Sequence, residues 1–327
     1  MHRPAPRILA LALLAMLAPC ARGADPEEPR GRVHSAKITI LSTMLADGGA
    51  LGEWGFSALV QADGNNILFD TGLHSDVVLK NAAYLGVDLD SIPEVILSHN
   101  HSDHVGGLLT LRKAVLGKSP GALARAHVGL GIFYPRTSSI PRVEVNPMIL
   151  IKTQYEATGG VFVVHDRPVQ LYPGIWLTGP VPRGYDERNW SGSERVTTPA
   201  GTVEDNIPED MSLVLDTDKG LVIVTGCGHA GVANIVTYSR LTVRPARIHA
   251  LIGGIHLFAA SDEALRVAAG RVTKAGIDNL IGAHCTGIEA VFKLREYMEL
   301  DRAHAVVGAV GQTFDLEKGI TPGEIAQ

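Results

Sequence analysis

Several absences bound this chain before any motif is read. Its 327 residues include only 3 cysteines, too few for the disulfide frameworks that hold small exported domains together. Aromatic residues make up 5% and charged residues 19%, while apolar residues reach 46%. The core is therefore aliphatic, and the chain is neither disordered nor short of material to bury. Lys and Arg number 29 against 34 Asp and Glu, a net charge of −5, which argues against a broad nucleic-acid surface. No self-similarity at a period of roughly 20–50 residues is visible, so solenoids and propellers are excluded.

What is present begins with a basic start, MHRPAPR, followed by an apolar run of eleven residues, ILALALLAMLA. A stable membrane span needs roughly 20 such residues, so the run is too short to cross. Basic start, short apolar run and the small residues Ala21 and Gly23 form the pattern of a secretory signal. The expectation is a signal peptide over 1–23, a polar linker over 24–36 and one domain over 37–327, exported to the periplasm or beyond. An ordinary N-terminal helix and a lipoprotein anchored at Cys20 are the alternatives; Pro19 is a poor residue before a lipidated cysteine. Cys227 and Cys285 then remain to pair with each other, stay free or touch a metal.

Along the mature chain, AKITILSTM reads as a strand and SALVQADGNNILFDTG as a hairpin turning at Asp63-Gly64-Asn65-Asn66. Val77, Leu79, Ala83 and Leu85 are spaced for a helix that stops near Gly86. PEVILSHN is a short buried strand, and VGGLLTLRKAVLG a helix leaving it. Residues 117–210 are less regular. VFVVHDRPVQLYPGIWLTGPVP holds two or three strands broken by prolines, and 183–210 reads as a long polar loop, either a lid over substrate or an exposed insertion. Order returns with MSLVLDTDKGLVIVTGCGH as strand, turn and strand. Two more strands end at His256 and His284, with helices between and after them, one capped at Ser261 or Asp262. Two hairpin-containing sheets, each followed by helices, predict an α/β fold of four layers, helix–sheet–sheet–helix, with loosely duplicated halves.

The stretch ILSHNHSDHVGG carries the chemistry. His99 and His101, as alternate residues at a strand end, can point the same way, and Asp103 and His104 follow after the chain turns. Imidazoles suit zinc and iron, and a carboxylate suits a harder or bridging position. Gly106-Gly107 lets the backbone turn closely around such a site.

SHNHSDHVGG matches the HxHxDH motif of the metallo-β-lactamase superfamily, whose αββα sandwich agrees with the layers above. LFDTG, with Asp70, resembles the superfamily's first motif, which buttresses the metal loop. WGFSALV, LFDTG, TGCGHAG and HCTG together resemble a narrower, dihydropterin synthase-like branch. That branch includes enzymes joining a pterin methyl diphosphate to a ribofuranosyl-aminobenzene phosphate. The resemblance implies metal ligands at His99, His101, Asp103, His104, His229 and His284, with Asp70 behind them. Where most members carry a bridging Asp after TG, this chain has Cys227, a soft ligand or a buried bystander. His256 is a proton donor, a substrate contact or a core histidine. His74 stays open, Asp210 is a marginal metal-site residue, and His34, His127, His165, His249 and His304 form no constellation.

The chemistry expected is metal-assisted hydrolysis. One or two divalent cations, Zn2+ or else Fe or Mn, bring the pKa of bound water toward about 7. His99, His101 and His229 would hold one ion and Asp103, His104 and His284 the other, with Asp103 also orienting the attacking water. The leading expectation is an exported metallohydrolase of a small ester, lactone, amide or phosphoester. A pterin-joining transferase and a non-catalytic metal-binding protein are the alternatives. Class B β-lactamase activity is not favoured, because the later motifs resemble the dihydropterin group more closely and a shared fold does not specify a substrate.

Overall fold

The computed structural model describes residues 1–2, 31–138, 143–190 and 194–323. Apart from its first two residues, the expected signal peptide, with Cys20, lies outside the described residues. Val33, in the stretch read as linker, is fully buried and bridges Thr217.

The first sheet contains β1 (Ala36–Ser42), β2 (Ser57–Ala62), β3 (Asn65–Phe69), β4 (Glu94–Leu97), β5 (Arg125–Gly129), β7 (Val161–His165), β17 (Thr313–Asp315) and β18 (Gly319–Thr321). Its order is β18-β17-β1-β2-β3-β4-β5-β7. The second contains β8 (Val169–Tyr172), β9 (Ile175–Leu177), β12 (Leu213–Thr217), β13 (Gly220–Thr225), β14 (Ile248–Gly253), β15 (Ile277–Gly282) and β16 (Ala305–Val307). Its order is β16-β15-β14-β13-β12-β9-β8. Both run from antiparallel hairpins into parallel strands, β3 to β7 in one and β13 to β16 in the other. The two halves are thus duplicated in layout.

Alternation along the strands makes the layers. Ile38, Ile40, Ile67 and Phe69 face Leu213, Leu215, Val222, Val224 and Ile252 between the sheets. Their sequence neighbours Leu41, Leu59 and Leu68 face outward onto helices α1 (Val77–Tyr84), α3 (Leu108–Leu116) and α4 (Met148–Glu156). Leu221, Ile223 and Leu251 do the same onto α5 (Val232–Thr242), α6 (Asp262–Ala275) and α7 (Ile288–Tyr297). Strands covered on both faces read as continuous apolar runs, which is why ILFD and LVIVT lack a polar alternation. The result is the αββα sandwich.

The hairpin turn is tighter than the sequence suggested. Ala62 pairs with Asn65, so only Asp63 and Gly64 turn, at φ 44° and 82°, the left-handed pair a two-residue hairpin needs. The helix expected over VGGLLTLRKAVLG divides into a single turn, α2 (Ser102–Val105), and α3. A correction concerns 183–210, which is not a plain loop. It contains the hairpin β10 (Glu194–Thr198) and β11 (Gly201–Glu204), which with β6 (Arg136–Ser138) makes a third, three-stranded sheet. Thr-rich, half-exposed strands pairing far along the chain carry little apolar periodicity, so pattern reading misses them. Among the described residues no helix is long and apolar enough to cross a membrane.

Candidate metal centre

Every predicted ligand leaves the C-terminal end of a parallel strand, the side of an open α/β sheet where ligands bind. Asp70 follows β3, residues 98–104 follow β4, Cys227 and His229 follow β13, His256 follows β14 and His284 follows β15. Asp70, His256 and His284 adopt left-handed backbone conformations at φ 55°, 49° and 48°. Such backbone is costly for non-glycine residues and is retained where surrounding structure enforces it. Gly106 lets the motif loop close on the end of β3: a Cβ there would stand 1.9 Å from the Leu73 carbonyl oxygen.

The rings converge. His99, His101 and His229 lie with ring centroids 4.6, 4.8 and 4.9 Å apart. One group of donor atoms within 4.8 Å of one another comes from Asp103, His104, Cys227 and His284, a second from His99, Cys227 and His229, and a third from His99, His101 and Asp103. The two expected clusters are therefore adjacent, and Cys227 stands between them. Its Sγ is 3.1 Å from His104 Nε2 and within 4.8 Å of donor atoms of both clusters. The thiol is buried, which pushes its pKa well up. Cys227 and Cys285 are free and buried; Cys285 Sγ is 3.8 Å from the Cys227 carbonyl. A fourth group joins Cys227 and Cys285 to His256.

Tautomers are set from behind. Asp70 is fully buried and accepts three hydrogen bonds at 2.7 Å, from the Ser98 N–H, the Ser98 hydroxyl and His104 Nδ1. The Ser98 oxygen in turn lies 2.9 Å from His99 Nδ1. His229 Nδ1 donates to the Asn189 carbonyl. With the Nδ1 side of these rings occupied, their Nε2 atoms are left for the centre. His99 Nε2 and His229 Nε2 are buried and find no hydrogen-bond partner among the described residues. Buried polar atoms are rarely left unpaired, and two aimed into a space shared with a thiol fit a cation.

The electrostatics divide the rings. Burial, reinforced by neighbouring imidazoles, holds His99 and His229 well below their usual pKa. Burial lowers His101 to about 4 despite Asp103. All three are thus neutral, the form that coordinates. Burial opposes ionisation of Asp103, but His104 and His284 outweigh it and hold the carboxylate below its ordinary range. Burial also works against His104, yet Asp70 and Asp103 raise it to about 9, so this ring is protonated at neutral pH and a cation bound there would have to displace its proton.

Two spaces adjoin the centre. A cavity of about 620 Å³ is lined by the 186–190 segment, His256, Phe258 and Arg271; His256 reaches it with its ring 4.5 Å from that of His229. A smaller one of about 260 Å³ is lined by Trp54, Asn100, His101, Asp103 and Glu194. Trp54 packs edge-on against both His284, at 5.0 Å, and Phe258, at 5.6 Å.

Other residues fall elsewhere. Asp210 joins no ligand group. It is buried, accepts the Ala230 N–H at 2.8 Å, and burial pushes it up to about 7. His74 pairs with buried Glu53 at 2.8 Å. His127 and His165 are not solitary, as expected from sequence, but share a hydrogen bond of 2.9 Å, because they sit on neighbouring strands. Sequence reading missed Ser98, Asn189, Glu209 and Arg136. Arg136 is fully buried and binds Asp205 and Glu209, and Glu209 accepts the Asn100 N–H at 3.2 Å, bracing the metal loop from below.

The family model of the metallo-beta-lactamase superfamily matches residues 55–117, spanning this motif loop and the strands before it, and the chain belongs to that superfamily. A 7,8-dihydropterin-6-methyl-4-(beta-D-ribofuranosyl)-aminobenzene-5'-phosphate synthase from Methanocaldococcus jannaschii is 30% identical over 289 residues, covering 84% of this chain and 96% of the relative. The crystal structure of Tm1679, described as a metal-dependent hydrolase of the beta-lactamase superfamily, matches with a TM-score of 0.68 at 28% identity over 87% of this chain and 99% of that one. Zn2+-bound PqqB from Methylobacterium extorquens shares the fold, with a TM-score of 0.53 at 15% identity, over 86% of this chain and all of the other.

Proposed function

We propose that the protein is an exported hydrolase with one or two divalent cations, zinc by preference, acting on a small ester, lactone, amide or phosphoester. The observation that carries this reading is the pair of orphaned buried Nε2 atoms, His99 and His229, facing a shared thiol. His99, His101, His229 and Cys227 would hold one cation, and Asp103, His104, His284 and Cys227 the other. Bound there, a divalent cation would polarise the scissile oxygen and acidify a water for attack near neutral pH.

The chain's own residues do the rest. Asp103, ionised and beside the smaller cavity, accepts a hydrogen bond from the attacking water and so orients it. His256 stands on the wall of the larger cavity, where its ring can donate a proton to a leaving group. Trp54 packs edge-on against His284 and Phe258 against His256, placing two exposed rings at the rim of the centre. The test is elemental analysis of the mature protein, then screening of the metal-loaded form on ester, lactone, β-lactam and phosphodiester panels. At least one bound ion per chain and a hit lost in His101→Ala are expected; full activity in His101→Ala refutes the mechanism.

A second reading, a pterin-joining transferase, is favoured by the 30% identity that covers 96% of the synthase. Release of pyrophosphate from a dihydropterin methyl diphosphate, dependent on a ribofuranosyl-aminobenzene phosphate acceptor, would select it over hydrolysis. Cell fractionation bears on both, because an exported chain is separated from activated pterin diphosphates inside the cell.

A further inference from the structure

The segment 184–190 runs from α5 to the candidate metal centre and is tied down at both ends. Asn234, buried in the first turn of α5, accepts the Gly184 and Tyr185 N–H groups on Oδ1 at 2.8 and 2.7 Å, and its Nδ2 donates to the Tyr185 carbonyl at 3.1 Å. Glu187 turns inward, and its Oε2 accepts the Ala233 N–H at 3.0 Å and the Asn234 N–H at 3.3 Å. Gly231 makes room for it: a Cβ there would lie 2.4 Å from that oxygen. Arg271 approaches the other carboxylate oxygen at 3.9 Å and rests 4.6 Å over the Tyr185 ring. At the far end the Asn189 carbonyl accepts the proton of His229 Nδ1, and the Asn189 side chain reaches toward the Ile255 carbonyl.

We propose that residues 184–190 form a strap that fixes the coordinating tautomer and orientation of His229, with Glu187 and Asn234 as its positioning residues. The proposal rests on the reading of His229 as a metal ligand. A neutral imidazole carries its proton on one nitrogen, and the acceptor at Nδ1 decides that Nε2 keeps the lone pair. A backbone carbonyl cannot choose its own place. Arg188 and the Trp190 indole bond Glu204, and Asn189 Nδ2 reaches Ile255, while the Glu187 and Asn234 clamps tie the stretch before them to α5 and so set the approach of the Asn189 carbonyl to the ring. The arrangement therefore gives one carboxamide and one carboxylate side chain, neither touching a cation, a part in positioning one ligand.

Titration of the apo-protein with Zn2+ in competition with a chromophoric chelator counts equivalents and their affinities. In Glu187→Ala and Asn234→Ala one equivalent is expected at the wild-type affinity and the other weakened roughly 10–100-fold. Glu187→Gln, which retains an acceptor oxygen, is expected to match the wild type. Wild-type affinities in Glu187→Ala overturn the strap. So does a loss shared equally by Glu187→Ala and Glu187→Gln, which would mark the carboxylate as a charge or stability requirement. Should the wild type bind a single equivalent, the two-cation reading falls, and the strap stands or falls on whether Glu187→Ala weakens that one while Glu187→Gln does not. Retention of every equivalent in His229→Ala removes the ligand reading beneath the strap.

Discussion

The two half-sandwiches supply the centre in different ways. The first sheet delivers His99, His101, Asp103 and His104 from one loop, backed by Asp70 from the neighbouring strand. The second delivers residues singly, Cys227 and His229 from β13, His256 from β14 and His284 from β15. The first arrangement is rigid by local geometry: six consecutive residues, a close-fitting glycine and one carboxylate with three hydrogen bonds. The second depends on the register of three parallel strands and on a strap that crosses from elsewhere. A contiguous motif places its donors by backbone alone, whereas distributed donors need the whole sheet folded first.

The largest effect that tests this contrast is removal of a donor from the loop. His101→Ala is expected to lower activity on any hit by more than the roughly 10–100-fold that loss of an outer partner costs, with bound metal falling in the same sample. His284→Ala, from the distributed half, is expected to spare the cation held by His99, His101 and His229. Equal loss of all metal in both variants, read by elemental analysis, would erase the distinction.

Next comes Asp70→Asn. An amide cannot accept all three hydrogen bonds that the carboxylate accepts, so either His104 or Ser98 is left unpaired in a buried site. The cost expected is roughly 1–3 kcal/mol of stability together with about 10–100-fold weaker metal binding, read by urea unfolding and chelator competition. An unchanged unfolding midpoint would mean the first half is less tightly braced than its geometry implies. Gly106→Ala is a purely steric version of the same test. Its Cβ would stand 1.9 Å from backbone oxygen, and overpacking of this kind costs roughly 1–3 kcal/mol. The corresponding alanine at Gly270, on α6 with nothing near its Cβ, is expected to leave the melting temperature unchanged or raised.

The smallest effect lies far from the centre. Burial, helped by His127, lowers His165 to about 4, below the unfolded value near 6.5. The unfolded chain then binds more protons between those values, so stability falls as pH drops from about 6.5 toward 4 and levels off below. In His165→Gln that part of the pH dependence is expected to flatten, measured as melting temperature against pH. An unchanged slope would place the acid sensitivity elsewhere.

Much of the centre was legible because its best part is local. HxHxDH could be read as a metal loop since ligand-type residues two apart at a strand end must lie together. His229 and His284 were legible as ligand types at strand ends, and their grouping with the loop followed from the family pattern, not from spacing. The third sheet was not legible, because β6 and β10 are remote in sequence and half-exposed. Nor was the bracing of the loop: Arg136 finds Asp205 and Glu209 across 69 and 73 residues, and no short-range pattern encodes such a pairing. The His127–His165 pair was missed for the same reason, since each looks solitary until strands β5 and β7 align.

By itself, then, the sequence determined the layer order, through apolar runs covered on both faces, and the kind of chemistry, through one loop of donors. Only the tertiary structure decided which nitrogen of each histidine faces the centre and that Cys227 lies between the two clusters. It also brought the 184–190 segment to the His229 ring. Tautomers and shared positions depend on acceptors brought from distant strands, and those distances exist only once both sheets have packed.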